Sequence, residues 1–550
     1  MAYKDKFIQW NNLVSVVILS ISTFSLLMVG CLSFSGIPAG EMSGQWMWLG
    51  RAGILFMIGA LFAKLFFSGN NLGMVFYCII KWELILLGGI EAVWGICQIL
   101  GITFSNHYLY SITGTFYNPG PYSGYLAMVF PVCLNEYLYF KAVKEKKWVD
   151  NACFYFSLVV LLLILCVLPA GMSRSAWMAV IVAGGWILSI HYLWVDRCKQ
   201  VWLLNKRKFY KMAFLAAICF CIIIVACFLL KKNSANGRFF MWKISSLAIL
   251  EQPLTGYGYN SFARTYGITQ EKYFAQGMYA DWEELVAGNP KYAFNEYIQV
   301  ALEGGIPFLI GILSLLAYCF YSGWTKKRIG ICGSLISLMV FAFSSYPMQF
   351  PVFVITLIIL LVSCVLDNSW KGWSLFAVFI GLLGGYWLNT NTYKESIRWE
   401  DAKARYDVGA YSAAKEDYEK LYPVLRKKAL FLFEYGLCLH KLEEYKYSNE
   451  ILQEASLYSC DPAILNVIGK NYRQMRDYEN AEKYFMRSIN LLPGRIYPYY
   501  LLAKLYLSPS FFKKEEAMKM VDIVLNKSPK VPSKAVEEMR TDIKTIIGNK

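Results

Sequence analysis

Three short stretches place an arginine next to glycine, serine and aromatic residues where apolar runs end. Residues 171–177 read GMSRSAW and contain Arg174, residues 236–242 read NGRFFMW and contain Arg238, and Arg264 follows TGYGYNSFA. A guanidinium is planar, permanently charged and able to grip an oxyanion with two parallel hydrogen bonds. A lone arginine at the end of a span ordinarily snorkels to headgroups. Several above one cavity make an anion clamp. Residues 114–126 read GTFYNPGPYSGYL, where glycine and proline impose turns and Asn118 stands among them. Tyr117, Tyr122 and Tyr125 offer flat amphipathic surfaces suited to sugar rings, although a tyrosine at a membrane interface has a simpler explanation. Glu83 and Glu91 fall within ~80° of each other on a helix, whereas Lys81 lies ~160° from Glu83. Lys81 is therefore expected to snorkel, and Glu91 to border a substrate cavity. No CxxC pair and no Cys/His spacing for zinc occurs, so neither metal nor cofactor is expected.

These groups must be positioned by an all-α membrane domain. The chain has 550 residues, 57% of them in the hydrophobic set, and only 17% charged, against roughly 25% in soluble domains. That excludes a wholly soluble enzyme and a disordered chain. Runs long enough to cross a bilayer lie at about 13–33, 51–68, 73–99, 121–140, 153–170, 175–195, 212–230, 297–321, 330–346, 351–366 and 373–390, about eleven spans. The first reads as a retained anchor without a cleavage site. Basic loops at 141–147, 197–211 and 326–328 place these loops and the N-terminus inside. Segments 100–120, 171–174 and 231–296 then share the outer face. The net charge of +16 follows from loops flanking spans, so no nucleic-acid partner is implied.

Residues 391–550 hold 27 of the 54 Lys/Arg and 22 of the 38 Asp/Glu, which marks a water-soluble module after a membrane domain of 1–390. With an odd number of spans, the module lies outside. Residues 462–494, PAILNVIGKNYRQMRDYENAEKYFMRSINLLPG, fit the tetratricopeptide pattern, with Gly469 and Ala481 at the close approach of two helices. Gly436 lies 33 residues earlier, a weaker unit precedes it, and a further unit follows with an insertion near Pro509. Such arrays bury one continuous core, and many bind a protein segment in their groove.

The segments GTFYNPGPYSGYL, SRSAW, NGRFFMW, LTGYGYNSF and NEYIQVALEGGIP, with EAVWGICQ before them, resemble the superfamily of O-antigen ligases, O-antigen polymerases and protein O-oligosaccharyltransferases. The resemblance implies a GT-C-like glycosyltransferase of the bacterial inner membrane, working on its periplasmic face in cell-envelope polysaccharide or lipopolysaccharide biosynthesis. It would move a glycan from an undecaprenyl-pyrophosphate donor to a lipid or protein hydroxyl, with no metal. The family's two arginines map onto Arg174 and Arg238. Tyr117, Asn118, Arg264, Asn295, Glu91 and His107 are candidate substrate contacts. The family's base-like histidine is Phe294 here, followed by Asn295 and Glu296; phenylalanine accepts no proton. Glu296 is the adjoining carboxylate, as a catalytic group or as a helix cap, and Asp281, Glu283 and Glu284 are further candidates. The competing readings are a polysaccharide polymerase, a flippase and a non-catalytic, repeat-bearing envelope scaffold.

Overall fold

The computed structural model describes residues 2–69, 71–145, 147–215, 218, 232–367, 369–530 and 532–548. Every regular element among them is helical. The helices run, in chain order, α1 Ala2–Leu27, α2 Ser43–Phe66, α3 Leu72–Ile99, α4 Pro119–Ala142, α5 Trp148–Val167, α6 Arg174–His191 and α7 Trp194–Leu204. Next come α8 Lys232–Glu251, α9 Phe262–Ala275, α10 Asp281–Val286, α11 Glu296–Thr325, α12 Ile329–Phe343, α13 Pro351–Val365 and α14 Trp370–Asn389. Two compact units result. One comprises Met1–Cys227, Phe294–Glu296 and Ile310–Tyr393; the other comprises Phe228–Ala293, Tyr297–Leu309 and Lys394–Lys550.

Among the described residues, six helices are long and apolar enough to span a membrane: Gln9–Cys31, Ser43–Phe66, Leu72–Ile99, Trp148–Val167, Glu296–Thr325 and Lys371–Asp407. About eleven were expected. Of the remainder, α12 and α13 are apolar but only 15 residues long, and α6 meets α7 at a bend of 70°. Helix α4 carries Pro131, Asn135 and Glu136 and is buried along most of its length, so protein rather than lipid surrounds it. The expected span at 212–230 lies outside the described residues except for 212–215 and 218.

Charged groups inside the first unit find polar partners, as an apolar surround demands. The Lys81 ammonium lies 2.7 Å from Glu136 Oε2, the Asn135 side-chain amide donates to Glu136 Oε1 at 3.1 Å, and His191 Nε2 lies 3.1 Å from Asn135 Oδ1. Lys81 therefore does not snorkel; a carboxylate on the neighbouring helix holds it. Glu83 accepts from the Thr23 hydroxyl at 2.8 Å. Lys326 and Arg328 also differ from simple loop charges. Arg328 is buried and donates to the carbonyls of Ser363 and Leu366, while Lys326 reaches the Val365 carbonyl and Asp367. Cations there satisfy carbonyls that the end of α13 leaves without intrahelical partners.

The second unit contains the repeats: α15 Tyr393–Asp407 with α16 Tyr411–Leu425, α17 Ala429–Lys441 with α18 Tyr445–Ala455, α19 Pro462–Gln474 with α20 Tyr478–Leu491, and α21 Ile496–Tyr506 with α22 Lys514–Asn526, closed by α23 Lys534–Gly548. Gly469 and Ala481 sit where expected: a methyl on Gly469 would stand 2.5 Å from the Phe485 ring, and Ala481 and Phe485 are fully buried. The turn within each of the first three pairs repeats in detail. Gly409, Glu443 and Arg476, spaced 34 and 33 residues apart, all take positive φ (85°, 64° and 63°). The next residue's N–H in each closes back on a carbonyl five residues earlier, at 3.0, 3.0 and 2.9 Å. In the fourth pair the short 3₁₀ turn Pro509–Phe511 takes up the insertion.

Two predictions follow from these contacts. Removing one partner of a buried ion pair strands the other charge, whereas removing both does not. Lys81→Met is expected to destabilise the detergent-solubilised protein by about 3 kcal/mol, and Lys81→Met/Glu136→Leu to restore most of that loss; equal losses would mean the pair is not the cause. Glycine relieves the cost of a left-handed residue, offset in part by its greater unfolded-state freedom. Arg476→Gly should therefore raise stability by about 0.5–1 kcal/mol in thermal melts.

Candidate functional site

In the first unit, the turn at 113–115 is held by side chains of α3. Gln98 Oε1 accepts from the N–H groups of Thr113 and Gly114 at 2.9 and 2.8 Å, and its amide donates to the Gly114 carbonyl at 3.0 Å. Glu91 is fully buried; it accepts from the Thr115 hydroxyl at 2.8 Å and the Thr115 N–H at 3.3 Å. It therefore supports the turn rather than bordering a substrate cavity. Tyr122 donates to the Glu91 carbonyl at 2.9 Å, and both Tyr122 and Tyr125 are fully buried. Of the three tyrosines read as sugar platforms, only Tyr117 is exposed, at 40%. It borders a cavity of about 250 Å³ whose other walls include Glu41, Gln45, Asn106 and Phe350. Asn118 caps α4, accepting from the Gly120 N–H at 2.9 Å, an arrangement suited to the proline that follows at N1.

Arg174 is the first residue of α6 and is half-buried. Beneath it Ser175 is buried and bonded to Ser344, through the Ser344 carbonyl at 3.0 Å and hydroxyl to hydroxyl at 2.7 Å. The Trp177 indole donates to the Leu168 carbonyl at 3.0 Å. Phe294 takes a positive φ of 49° and packs its ring 4.7 Å from that of Tyr346. Asn295 and Glu296 are both buried. Glu296 opens α11, and its Oε1 accepts from the Met348 N–H at 2.8 Å. His107 stands among Tyr108, Tyr110 and Tyr117. Its Nδ1 accepts from the Leu109 N–H at 3.0 Å, so a neutral ring carries its proton on Nε2 and presents a donor there.

In the second unit, Arg238 lies half-buried on α8, beside Phe240 in a shared core and Trp242, whose indole donates to the Ala293 carbonyl at 3.2 Å. The LTGYGYNSF and LEGGIP stretches are joined by main-chain bonds: Tyr257 N–H to Leu302 carbonyl at 3.0 Å, Gly258 to Glu303 at 2.9 Å, and Ile306 to Pro253 at 2.8 Å. Gly256 (φ 63°) and Gly305 (φ 82°) permit this approach, because a Cβ on either would strike the partner's carbonyl oxygen. Gly305 also breaks α11. Arg264 sits on α9 in a small recess with Glu271, Asp461 and Arg487.

That same stretch is fastened to the repeats. Gln270, fully buried, donates to the carbonyls of Leu491 at 2.7 Å and Gly288 at 3.1 Å. Arg487 grips Glu271 with two bonds of 2.9 and 3.1 Å. Lys527 pairs with Glu284 at 2.6 Å, and Cys460, Leu465, Leu491 and Leu492 share a core with Phe240, Phe262 and Tyr266. Glu283 is buried and bound by Lys243 at 2.6 Å and Tyr273 at 2.8 Å. Burial pushes the Glu283 carboxyl up, but the Lys243 ammonium, the Ala280 N–H and the Tyr273 hydroxyl outweigh it and leave it below the ordinary carboxylate value. Glu283 and Glu284 are thus engaged in holding α10. Glu136 and Gln270 are structural groups that the motif reading missed, as are the partners of Lys81 and Gln98. Their partners lie far away in sequence, Glu136 55 positions from Lys81 and Leu491 221 positions from Gln270.

Among the described residues, no group of three or more His, Cys, Asp or Glu could hold a metal. No curated protein matches the chain. Two solved structures resemble part of it: the MamA RS-1 ArsTM double mutant, at 14% identity over 30% of this chain and 81% of that one with a TM-score of 0.22, and MamA 41-end from Desulfovibrio magneticus RS-1, at 14% identity over 31% and 85% with a TM-score of 0.21. Residues 159–313, which contain Arg174, Arg238, Arg264, Asn295 and Glu296, match the family described as O-Antigen ligase.

Proposed function

We propose that the protein is an inner-membrane glycosyltransferase that moves a glycan from an undecaprenyl-pyrophosphate donor to a hydroxyl of a lipid or protein acceptor on the periplasmic face. Residues 1–390 supply the membrane domain and 391–550 a periplasmic repeat domain. One observation carries this reading. Arg174 and Arg238, both half-buried, lie within residues 159–313, the stretch that matches the O-antigen ligase family.

The chemistry suits such groups. The acceptor oxygen forms a bond to the anomeric carbon while the bond from that carbon to the pyrophosphate oxygen breaks, and its electron pair departs with the diphosphate. Negative charge therefore grows on the leaving group, and pre-aimed guanidinium donors stabilise the transition state more than the bound donor. The acceptor's proton passes to solvent or to the released diphosphate, since Phe294 accepts none. Glu296 acts as a positioning residue, tying the start of α11 to the turn at Met348. Asn295 and Tyr117 are the contacts we assign to the transferred glycan. The repeats contribute by holding the segment that carries Arg238.

In proteoliposomes supplied with lipid-linked oligosaccharide, Arg174→Ala and Arg238→Ala are each expected to lower transfer at least about 100-fold while expression and insertion persist. Lysine at either position should restore little, because it lacks the bidentate fork. Near-normal transfer by both alanine variants would refute the role given to these guanidinium groups. Glutamine can accept the Met348 N–H as the carboxylate does, so Glu296→Gln should keep at least a third of wild-type turnover with an unchanged pH profile, and Glu296→Ala should lose most of it. Complete loss in Glu296→Gln would instead make Glu296 a proton acceptor. Product analysis separates transfer to an acceptor from chain extension on the carrier lipid.

A further inference from the structure

The segment after α6 has a composition and geometry that neither glycan transfer nor the bundle's packing uses. At Leu193 the backbone turns left-handed (φ 51°), and α7 leaves α6 at 70°. No residue of α7 is buried, and residues 206–215, also helical, are exposed but for the half-buried Phe209. Over 194–215 there are six cations, Arg197, Lys199, Lys206, Arg207, Lys208 and Lys211, against the single anion Asp196.

A membrane-spanning role fails on length and charge. Eleven residues of α7 rise only ~16 Å, about half the hydrocarbon thickness, and spanning would bury the charges of Asp196, Arg197 and Lys199 in hydrocarbon. A merely solvated loop fails on the apolar side chains: Trp194 is 44% exposed, Leu203 72% and Leu204 87%. On a helical wheel Trp194, Val195, Cys198, Val201 and Trp202 share one side, and Asp196, Gln200 and Leu203 lie opposite. The Lys206 ammonium stands 5.2 Å from the Trp202 ring centroid, which puts a cation at the border of the apolar side. Aromatic residues with cations at their margin are the signature of a helix lying in the headgroup layer.

We propose that α7 and residues 206–215 form a binding surface for anionic phospholipid, with the apolar side of α7 in the acyl boundary and the six cations on lipid phosphates. The apolar side bordered by basic groups favours a lipid surface over nucleic acid or an acidic protein, since neither of those would cover the exposed Trp194, Val195 and Trp202. The proposal is independent of glycan transfer.

The test uses the full-length protein in nanodiscs containing equal amounts of phosphatidylcholine and phosphatidylglycerol, with native mass spectrometry counting the lipids retained on release. At low salt the wild type is expected to retain phosphatidylglycerol in at least fivefold excess. Raising salt to about 0.5 M, where screening lengths fall to a few ångströms, should erode that preference in the unmodified protein. A variant with all six cations changed to glutamine should retain both lipids equally at either salt concentration, with an unchanged size-exclusion profile. Equal retention by the wild type at low salt would overturn the proposal, as would an undiminished preference in the six-fold variant.

Discussion

Wherever a helical membrane protein interrupts a helix, backbone N–H and C=O groups lose their partners, and neither hydrocarbon nor a packed interior supplies replacements. The joint between α3 and the 113–118 turn meets this constraint with side chains. Gln98 alone satisfies two N–H groups and one carbonyl of the turn, and Glu91 accepts from Thr115. The turn then places Asn118 to start α4 and leaves Tyr117 facing the adjacent cavity. A glutamine and a glutamate within the EAVWGICQ stretch thus decide where a more distant tyrosine borders the cavity. In the second unit the backbone solves the same problem itself: Pro253, Tyr257 and Gly258 pair with Ile306, Leu302 and Glu303 at two glycines that tolerate the approach.

The repeats acquire a meaning from this arrangement that composition could not give them. Their third and fourth helix pairs hold α9 and α10 through Gln270, Glu271 and Glu284, and they contribute four side chains to the core around Phe240. Part of their surface is therefore occupied by the chain's own 231–296 segment. A protein partner in the groove is not required to explain why the array is fused to a membrane domain.

Much of this was legible in the residues. The 33-residue spacing of Gly436 and Gly469, with large side chains opposite, predicts the helix pairs because glycine is needed where helices touch. The arginine motifs predict where cationic groups survive on a largely apolar chain. What escaped the sequence has a common cause. Tyr122 and Tyr125 look like a ligand platform until the turn before them folds them inward; Lys81 looks unpaired until α4 brings Glu136 beside it; Glu283 looks available until Lys243 arrives from 40 positions away. Each depends on a contact distant in sequence, which periodicity and composition do not encode. Helix α4 is enclosed by neighbours and so needs less hydrophobicity than a lipid-facing helix.

Lys326 and Arg328 act twice in the life of the chain. While the nascent polypeptide is being inserted they are unpaired cations, and translocation machinery responds to such charges when it decides which way a hairpin threads. Once α13 has packed, the same groups bind the carbonyls of Ser363, Val365 and Leu366. A neutral substitution at Arg328 would therefore disturb biogenesis and the finished molecule by separate routes, and a yield defect alone could not distinguish failed threading from a frayed helix end.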